Sequence, residues 1–258
     1  MEWETLTLTD SNDVAFLMLD RPASLNAVNE QLTNDMEKAC QLIKEHTHIR
    51  VVVVAGEGRA FCSGMDLKAA AMRAPDSEAA AAVWDPWQRA LNSLEQMDAL
   101  TIASIHGACL GAGLELALAC DFRLATDNSF FSLPQVLYGA PPDTTQTYRL
   151  AHLVGLAKAK EIIILGQRFD AAQAANWGLL NKVVASEDLH RERTSLIDRC
   201  KKVSGRAAAV TKSLLNRSWT LNSSDWPKAI SEARAAAFDA PDFAESMRLY
   251  RDKRKPRV

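Results

Sequence analysis

Two glycine-marked segments are the places in this sequence where backbone groups could do chemistry. One is Arg59-Ala60-Phe61-Cys62-Ser63-Gly64-Met65-Asp66-Leu67, the other Gly107-Ala108-Cys109-Leu110-Gly111-Ala112-Gly113. Each follows an apolar run of strand type and leads toward a helix. Free N–H groups at such turns point to a common place beyond the strand ends, where anions and oxyanions bind. Two donors from separate turns aimed at one oxygen would stabilise an enolate, and losing one such donor costs about 10²–10³ in rate. The plainer alternative is that Gly64, Gly111 and Gly113 only permit tight turns.

Two carboxylates extend the case. Glu115 is a lone acid in the apolar first turn of the helix that Gly111-Ala112-Gly113 opens. Desolvation would raise its pKa toward the range useful for proton transfer, while the helix N-terminus favours the anion. The competing reading is a solvated or arginine-paired glutamate. Asp143, in Gly139-Ala140-Pro141-Pro142-Asp143-Thr144-Thr145-Gln146, precedes an apolar-periodic helix. Asp followed three residues later by Gln is the pattern of a capping box. A cap and a catalytic role are compatible, and both stay open. Trp84, Trp87, Leu137 and Tyr138 could line an acyl pocket, or the tryptophans could simply pack a lid.

The elements that must position these residues follow from hydrophobic spacing. The first fifty residues read as strand (Val14 to Leu19), turn, helix (29–46, with Asn29 as its cap) and strand (Val51 to Ala55). Thr101 to Ile105 is a third strand, and Phe122 to Ala125 and Phe130 to Leu133 are short further ones. From Asp143 onward the pattern is almost wholly helical, with helices near 144–152, 156–165, 171–176, 187–202, 206–217, 224–239 and 241–252. Strand-helix alternation followed by a helical tail predicts an α/β core with a C-terminal helical region. The Ala-rich stretch 68–83, with Pro75, is the candidate for a mobile lid.

Bulk composition narrows the class. The 258 residues are 48% hydrophobic and 24% charged, with a formal net charge of −2. That size suffices for roughly three quarters of the unfolded surface to be buried. A nucleic-acid binder would show a basic stripe, and none precedes the extreme C-terminus. No apolar run reaches the ~18 residues that cross a bilayer. The acidic start, Met1-Glu2-Trp3-Glu4, has no apolar region of signal-peptide type. Five widely spaced cysteines read as reduced thiols in a cytosolic compartment. No metal-ligand cluster, P-loop, GxSxG elbow or full GxGxxG is present.

With these motifs in order, the sequence resembles the crotonase (enoyl-CoA hydratase/isomerase) superfamily across nearly its whole length. The resemblance rests on Arg21-Pro22-Ala23-Ser24-Leu25-Asn26-Ala27, Gly58 to Leu67, His106-Gly107 through Glu115-Leu116-Ala117 to Cys120-Asp121, Trp177 to Val184, and Lys253-Arg254-Lys255-Pro256. It implies an α/β fold with a crotonase-like ββα spiral core over 1–195 and a C-terminal helical trimerisation region over 196–258. The assembly would be a homotrimer or a dimer of trimers. By position, the backbone N–H groups of Met65 and Ala112 would form the oxyanion hole. Coenzyme A would lie near Ser24, Leu25, Ala60, Asp66 and Leu67. Gly64, Gly111 and Gln135 would face the substrate, and Tyr250 and Lys253 would reach a neighbour's coenzyme A.

Two departures matter. Family hydratases often carry a lysine where this chain has Ala23, a loss for which Arg59 could compensate. They also use two glutamates; Glu115 matches the first, and the second falls on Gln135, which cannot shuttle a proton. Asp143 falls where several members carry a working carboxylate. The resemblance therefore implies an enoyl-CoA isomerase or hydratase acting through Glu115 and Asp143, the double-bond shift slightly ahead of water addition. The alternatives are a thioester hydrolase or aryl-CoA dehalogenase with Asp143 as nucleophile, and a catalytically silent coenzyme A-binding scaffold. No cofactor is expected beyond the coenzyme A of the substrate, no nucleic-acid or membrane partner, and the setting is cytoplasmic.

Overall fold

The run Val51-Val52-Val53-Val54 lacks the polar alternation of a half-exposed strand, and its surroundings explain why. In the computed structural model, which describes residues 1–68, 77–142 and 144–254 (side chains apart from 77–84 and 253–254), all four valines are fully buried. Val52 and Val54 join the main core, while Val51 and Val53 pack with Val14, Ile102, Ile197 and Cys200 in a second cluster. Apolar side chains on both faces are the mark of a parallel sheet covered on both sides.

That sheet contains β1 (Leu6–Ser11), β2 (Val14–Leu19), β3 (Val51–Gly56), β4 (Leu100–Ile105), β6 (Phe122–Thr126) and β9 (Lys182–Val184), side by side in that order. Only the β1–β2 pair is antiparallel. A smaller sheet holds β5 (Ala108–Leu110), β7 (Phe130–Ser132) and β8 (Phe169–Asp170). Isolated bridges Cys62↔Cys109 and Val28↔Met65 extend this second layer. The chain thus passes repeatedly from a large-sheet strand to the second layer and then to a helix, which is the ββα spiral the resemblance implies.

Among the described residues the α-helices given in full are α1 (Glu30–Glu45), α2 (Ser77–Glu95), α3 (Ala112–Ala119), α4 (Thr145–Val154), α5 (Leu156–Leu165), α6 (Ala171–Asn176), α7 (Leu189–Lys201), α8 (Gly205–Asn216), α9 (Trp226–Phe238) and α10 (Pro241–Arg254). Asn29 caps α1 as expected, its side chain accepting from Leu32 N at 2.9 Å. The 195/196 division falls inside α7, whose Ile197 and Cys200 belong to the sheet's second cluster.

Three expectations change. Strand β1 is additional; its buried Leu6 and Leu8 alternate with more exposed threonines, the pattern of an edge strand. Residues 77–83 of the expected lid lie in α2, and 69–76 lie outside the described residues. The cap position of α4 is Thr144, whose side chain makes no capping bond; Asp143, the expected cap one residue earlier, lies outside the described residues. Gln88 reaches across from α2, its Oε1 accepting from Thr145 N at 2.8 Å. The Gln146 side chain is committed to Gln88 at 3.0 Å, Asn92 at 3.2 Å and Glu95 at 3.4 Å.

Candidate active site

The first turn leaves β3 and is held by residues from well upstream. Asn26, fully buried, donates from Nδ2 to Glu57 O at 2.9 Å and to Ala60 O at 2.8 Å, while its Oδ1 accepts from Arg21 N at 2.9 Å. Arg21 bonds Ala27 O and pairs with Asp66 at 3.1 Å. Ser63 N donates to Leu25 O at 3.0 Å, bringing Ser24 and Leu25 against the turn. Met65 pairs with Val28 through its neighbours: Val28 N donates to Gly64 O at 2.7 Å, and Asp66 N to Val28 O at 2.9 Å. In such a bridge the N–H of Met65 itself points to the opposite edge.

The second turn runs beside it. Cys62 N donates to Ala108 O and Leu110 N to Cys62 O, each at 3.0 Å, and Gly111 N is fixed on Ser132 O at 2.9 Å. Helix α3 then begins, and the bond from Glu115 N to Gly111 O, 3.0 Å, is its first turn closing. The N–H of Ala112 precedes that ladder and has no partner within the helix. Gly113 shows that the glycines do more than permit turns. A Cβ there would sit 2.5 Å from Cys62 O and 2.7 Å from Cys62 Cβ, so only glycine lets α3 approach the first turn so closely. Gly64 has φ +96°, and a Cβ on it would meet Leu110 O at 2.9 Å. The place a Cβ would take on Gly111 lies 3.8 Å from Gly64 Cα. Met65 and Ala112 therefore each follow one of two glycines in contact.

Glu115 is 1% exposed, so its carboxylate is held almost wholly out of water. Its Oε1 accepts from Gln135 Nε2 and from Thr147 Oγ1, both at 2.9 Å. The solvated reading is thereby excluded. Thr147, on α4, is a site residue the sequence did not reveal; Thr144 Oγ1 lies 3.3 Å from its hydroxyl. Buried Arg123 anchors the far end of α3, bonding Cys120 O at 2.7 Å, Ala117 O at 3.3 Å and Leu179 O at 2.7 Å. A cation there also complements the C-terminal end of the helix dipole. Two fixed turns, with the N–H groups of Met65 and Ala112 outside their ladders, and a desolvated carboxylate in one region can hold an oxyanion and move a proton.

The family profile described as enoyl-CoA hydratase/isomerase matches residues 9–258. This chain belongs to that family. It is 30% identical over 256 residues to a probable enoyl-CoA hydratase of Mycobacterium tuberculosis, covering 99% of this chain and 98% of the relative. It is 30% identical to the peroxisomal Delta(3,5)-Delta(2,4)-dienoyl-CoA isomerase of Arabidopsis thaliana, covering 96% and 93%. Among solved structures, an enoyl-CoA hydratase of Mycobacterium smegmatis superposes with a TM-score of 0.90 at 28% identity, covering 98% of each chain. Crotonase membership, fold and an enoyl-CoA hydratase/isomerase type of reaction follow.

Within this enoyl-CoA hydratase/isomerase family member, the sequence-predicted residues divide clearly. Gly64, Met65, Gly111, Ala112, Glu115 and Gln135 come together, with Ser24, Leu25, Ala60 and Asp66 packed behind the first turn and Leu67 exposed at its end. Asp143 and the side chains of Trp84 and Lys253 lie outside the described residues. Tyr250 is half exposed on α10, a helix that lines a cleft with Arg50, Ser204 and Gly205. Trp87 is fully buried in the main core, so it packs the fold and does not line an open acyl pocket. Leu137 and Tyr138 are each 65% exposed. Burial pushes the thiol of Cys62 up to about 12, leaving it neutral and no nucleophile near neutral pH. Among the described residues no His/Cys/Asp/Glu group could hold a metal ion, and no helix is long and apolar enough to cross a membrane.

Proposed function

We propose that this chain transforms an enoyl-CoA thioester through an enolate. The thioester oxygen accepts from the N–H groups of Met65 and Ala112, and Glu115 carries a proton to or from the acyl chain. The observation that supports this most is the contact of the two turns at Gly64 and Gly111, with buried Glu115 in the same short helix. Water addition and double-bond movement both pass through that enolate, and relatives with each name are similar over nearly the full chain. Asp143 is the second carboxylate by its place in the sequence. A covalent route through Asp143 has no observation in its favour among the described residues.

Coenzyme A lies along Ser24, Leu25, Ala60, Asp66 and Leu67 in this reading, with Tyr250 and Lys253 reaching it from a neighbouring copy. The assembly is a homotrimer or dimer of trimers built through 196–258. The setting is cytoplasmic, and no cofactor is needed beyond the coenzyme A of the substrate. The test is exchange of α-protons of linear, cyclic and aromatic acyl-CoAs in deuterated water. Wild-type protein exchanges at least one of them, and Glu115→Gln and Asp143→Asn each slow that exchange by about a hundredfold or more with folding intact. No exchange with any thioester would overturn the reading in favour of a silent coenzyme A-binding protein. Near-wild-type exchange in Asp143→Asn would remove Asp143 alone.

A further inference from the structure

The start of α4 is held by side chains of another helix. Gln88, Asn92 and Glu95 stand at i, i+4 and i+7 on α2, one stripe of that helix, and meet Thr145, Gln146 and Arg149 of α4. Gln88 Oε1 accepts from Thr145 N at 2.8 Å. Its Nε2 lies 2.8 Å from Asn92 Oδ1, 3.0 Å from Gln146 Oε1 and 3.1 Å from Thr145 Oγ1. Buried Gln146 passes the chain on to Asn92 Oδ1 at 3.2 Å and Glu95 Oε2 at 3.4 Å, and Glu95 pairs with Arg149. An apolar seam between two helices can pack in more than one register, whereas amides with fixed donors and acceptors select one.

A helix opens with four N–H groups that its own ladder leaves unbonded. In α4 the Thr144 side chain makes no capping bond, and among the described residues Gln88 is the one side chain on a first-turn N–H. Thr147 stands two residues further along the same turn. Its hydroxyl donates to Glu115 Oε1 at 2.9 Å, and both residues are buried, so bulk water does not stand in for that bond if the turn frays. We infer that Gln88 is a positioning residue of the reaction: by capping α4 from α2 it fixes the first turn, and so keeps the Thr147 hydroxyl on the carboxylate. This rests on the reading that Glu115 carries the proton. Among the described residues the side-chain bonds of Gln88 go to Asn92, Thr145 and Gln146 and not to Glu115, so its influence on the reaction runs through Thr147.

The test is a double-mutant cycle of Gln88→Met and Thr147→Val, read by α-proton exchange of the thioester that wild-type protein exchanges fastest, beside crystal structures of wild type and Gln88→Met. Gln88→Met keeps length and helix propensity while removing both ends of the amide. Maximal exchange should fall by about threefold to fivefold with half-saturation within about twofold, and Gln88→Met added to Thr147→Val should cost no more than about 1.5-fold further. In the crystal, Thr147 Oγ1 should stand beyond about 3.5 Å from Glu115 Oε1. Thr145→Pro breaks the capping bond from the other side and serves if Gln88→Met does not fold. Proline suits the first helical position, and Thr144, at φ −107° and ψ 148°, already has the extended backbone that precedes one. It should give the same pattern. Wild-type exchange in either single variant of the cycle, or losses that multiply in the double variant, would overturn the inference. So would a raised half-saturation at unchanged maximal rate, since Gln88 would then shape the substrate pocket. If wild-type protein exchanged no thioester at all, the enolate reading would fall and the crystal structures would decide alone: Thr147 displaced from Glu115 upholds the positioning role, and a bond still at 2.9 Å overturns it.

Discussion

The two turns that meet at Gly64 and Gly111 are built in opposite ways. The first is pinned from outside, by the Asn26 amide on Glu57 O and Ala60 O and by the Arg21–Asp66 pair. The second is pinned by the element it opens, with Glu115 N on Gly111 O at one end of α3 and Arg123 on Ala117 O and Cys120 O at the other. A clamp made of side chains can fail locally and leave the fold in place. A turn carried by a core helix fails only with that helix. The difference separates residues whose loss costs activity from residues whose loss costs the protein.

Arg123→Met tests the second turn and should have the largest effect. It takes the Arg123 donor from three carbonyls, of which Ala117 O keeps Cys120 N, so about 4 kcal/mol of stability should be lost. For a chain of this size that lowers Tm by about 10 °C, readable by calorimetry. Activity at a temperature where the variant is folded should fall little. If α-proton exchange instead collapsed well below the melting transition, the far end of α3 would be tuning the site directly and the contrast would be lost. Asn26→Ala tests the first turn. It removes two donors and one acceptor around a partly buried backbone, with about 2 kcal/mol at stake. Here exchange should fall by about tenfold or more at 25 °C, because Met65 is no longer held. A variant with lowered Tm and wild-type exchange would show that Val28 alone fixes Met65.

How far these features were legible follows the same divide. The valine run of β3, the Asn29 cap of α1 and the helical tail rest on local spacing, and each was readable. Helix α2 was readable in principle, since its buried Trp87, Ala90, Leu91 and Leu94 follow helical spacing. The alanine-rich stretch and Pro75 ahead of them masked it. The glycines were legible as turn markers, but not that Gly113 is required by the backbone of Cys62, which comes from another strand's turn. Glu115 was legible as an isolated acid in an apolar helix. The contact of Gln88 with the start of α4 was not, because it joins residues 57 apart.

Thr147 marks the limit of that legibility and carries the smallest expected effect. Its hydroxyl reaches Glu115 from 32 residues away, and in the sequence it is one threonine among several opening a helix. Thr147→Val keeps the shape and removes only the donor. The neighbouring Gln135 still bonds the same oxygen, so turnover should fall by about fivefold, the scale of one hydrogen bond of roughly 1 kcal/mol. Unchanged turnover in this variant, measured beside the wild-type protein, would mean that Gln135 alone holds the Glu115 carboxylate in place.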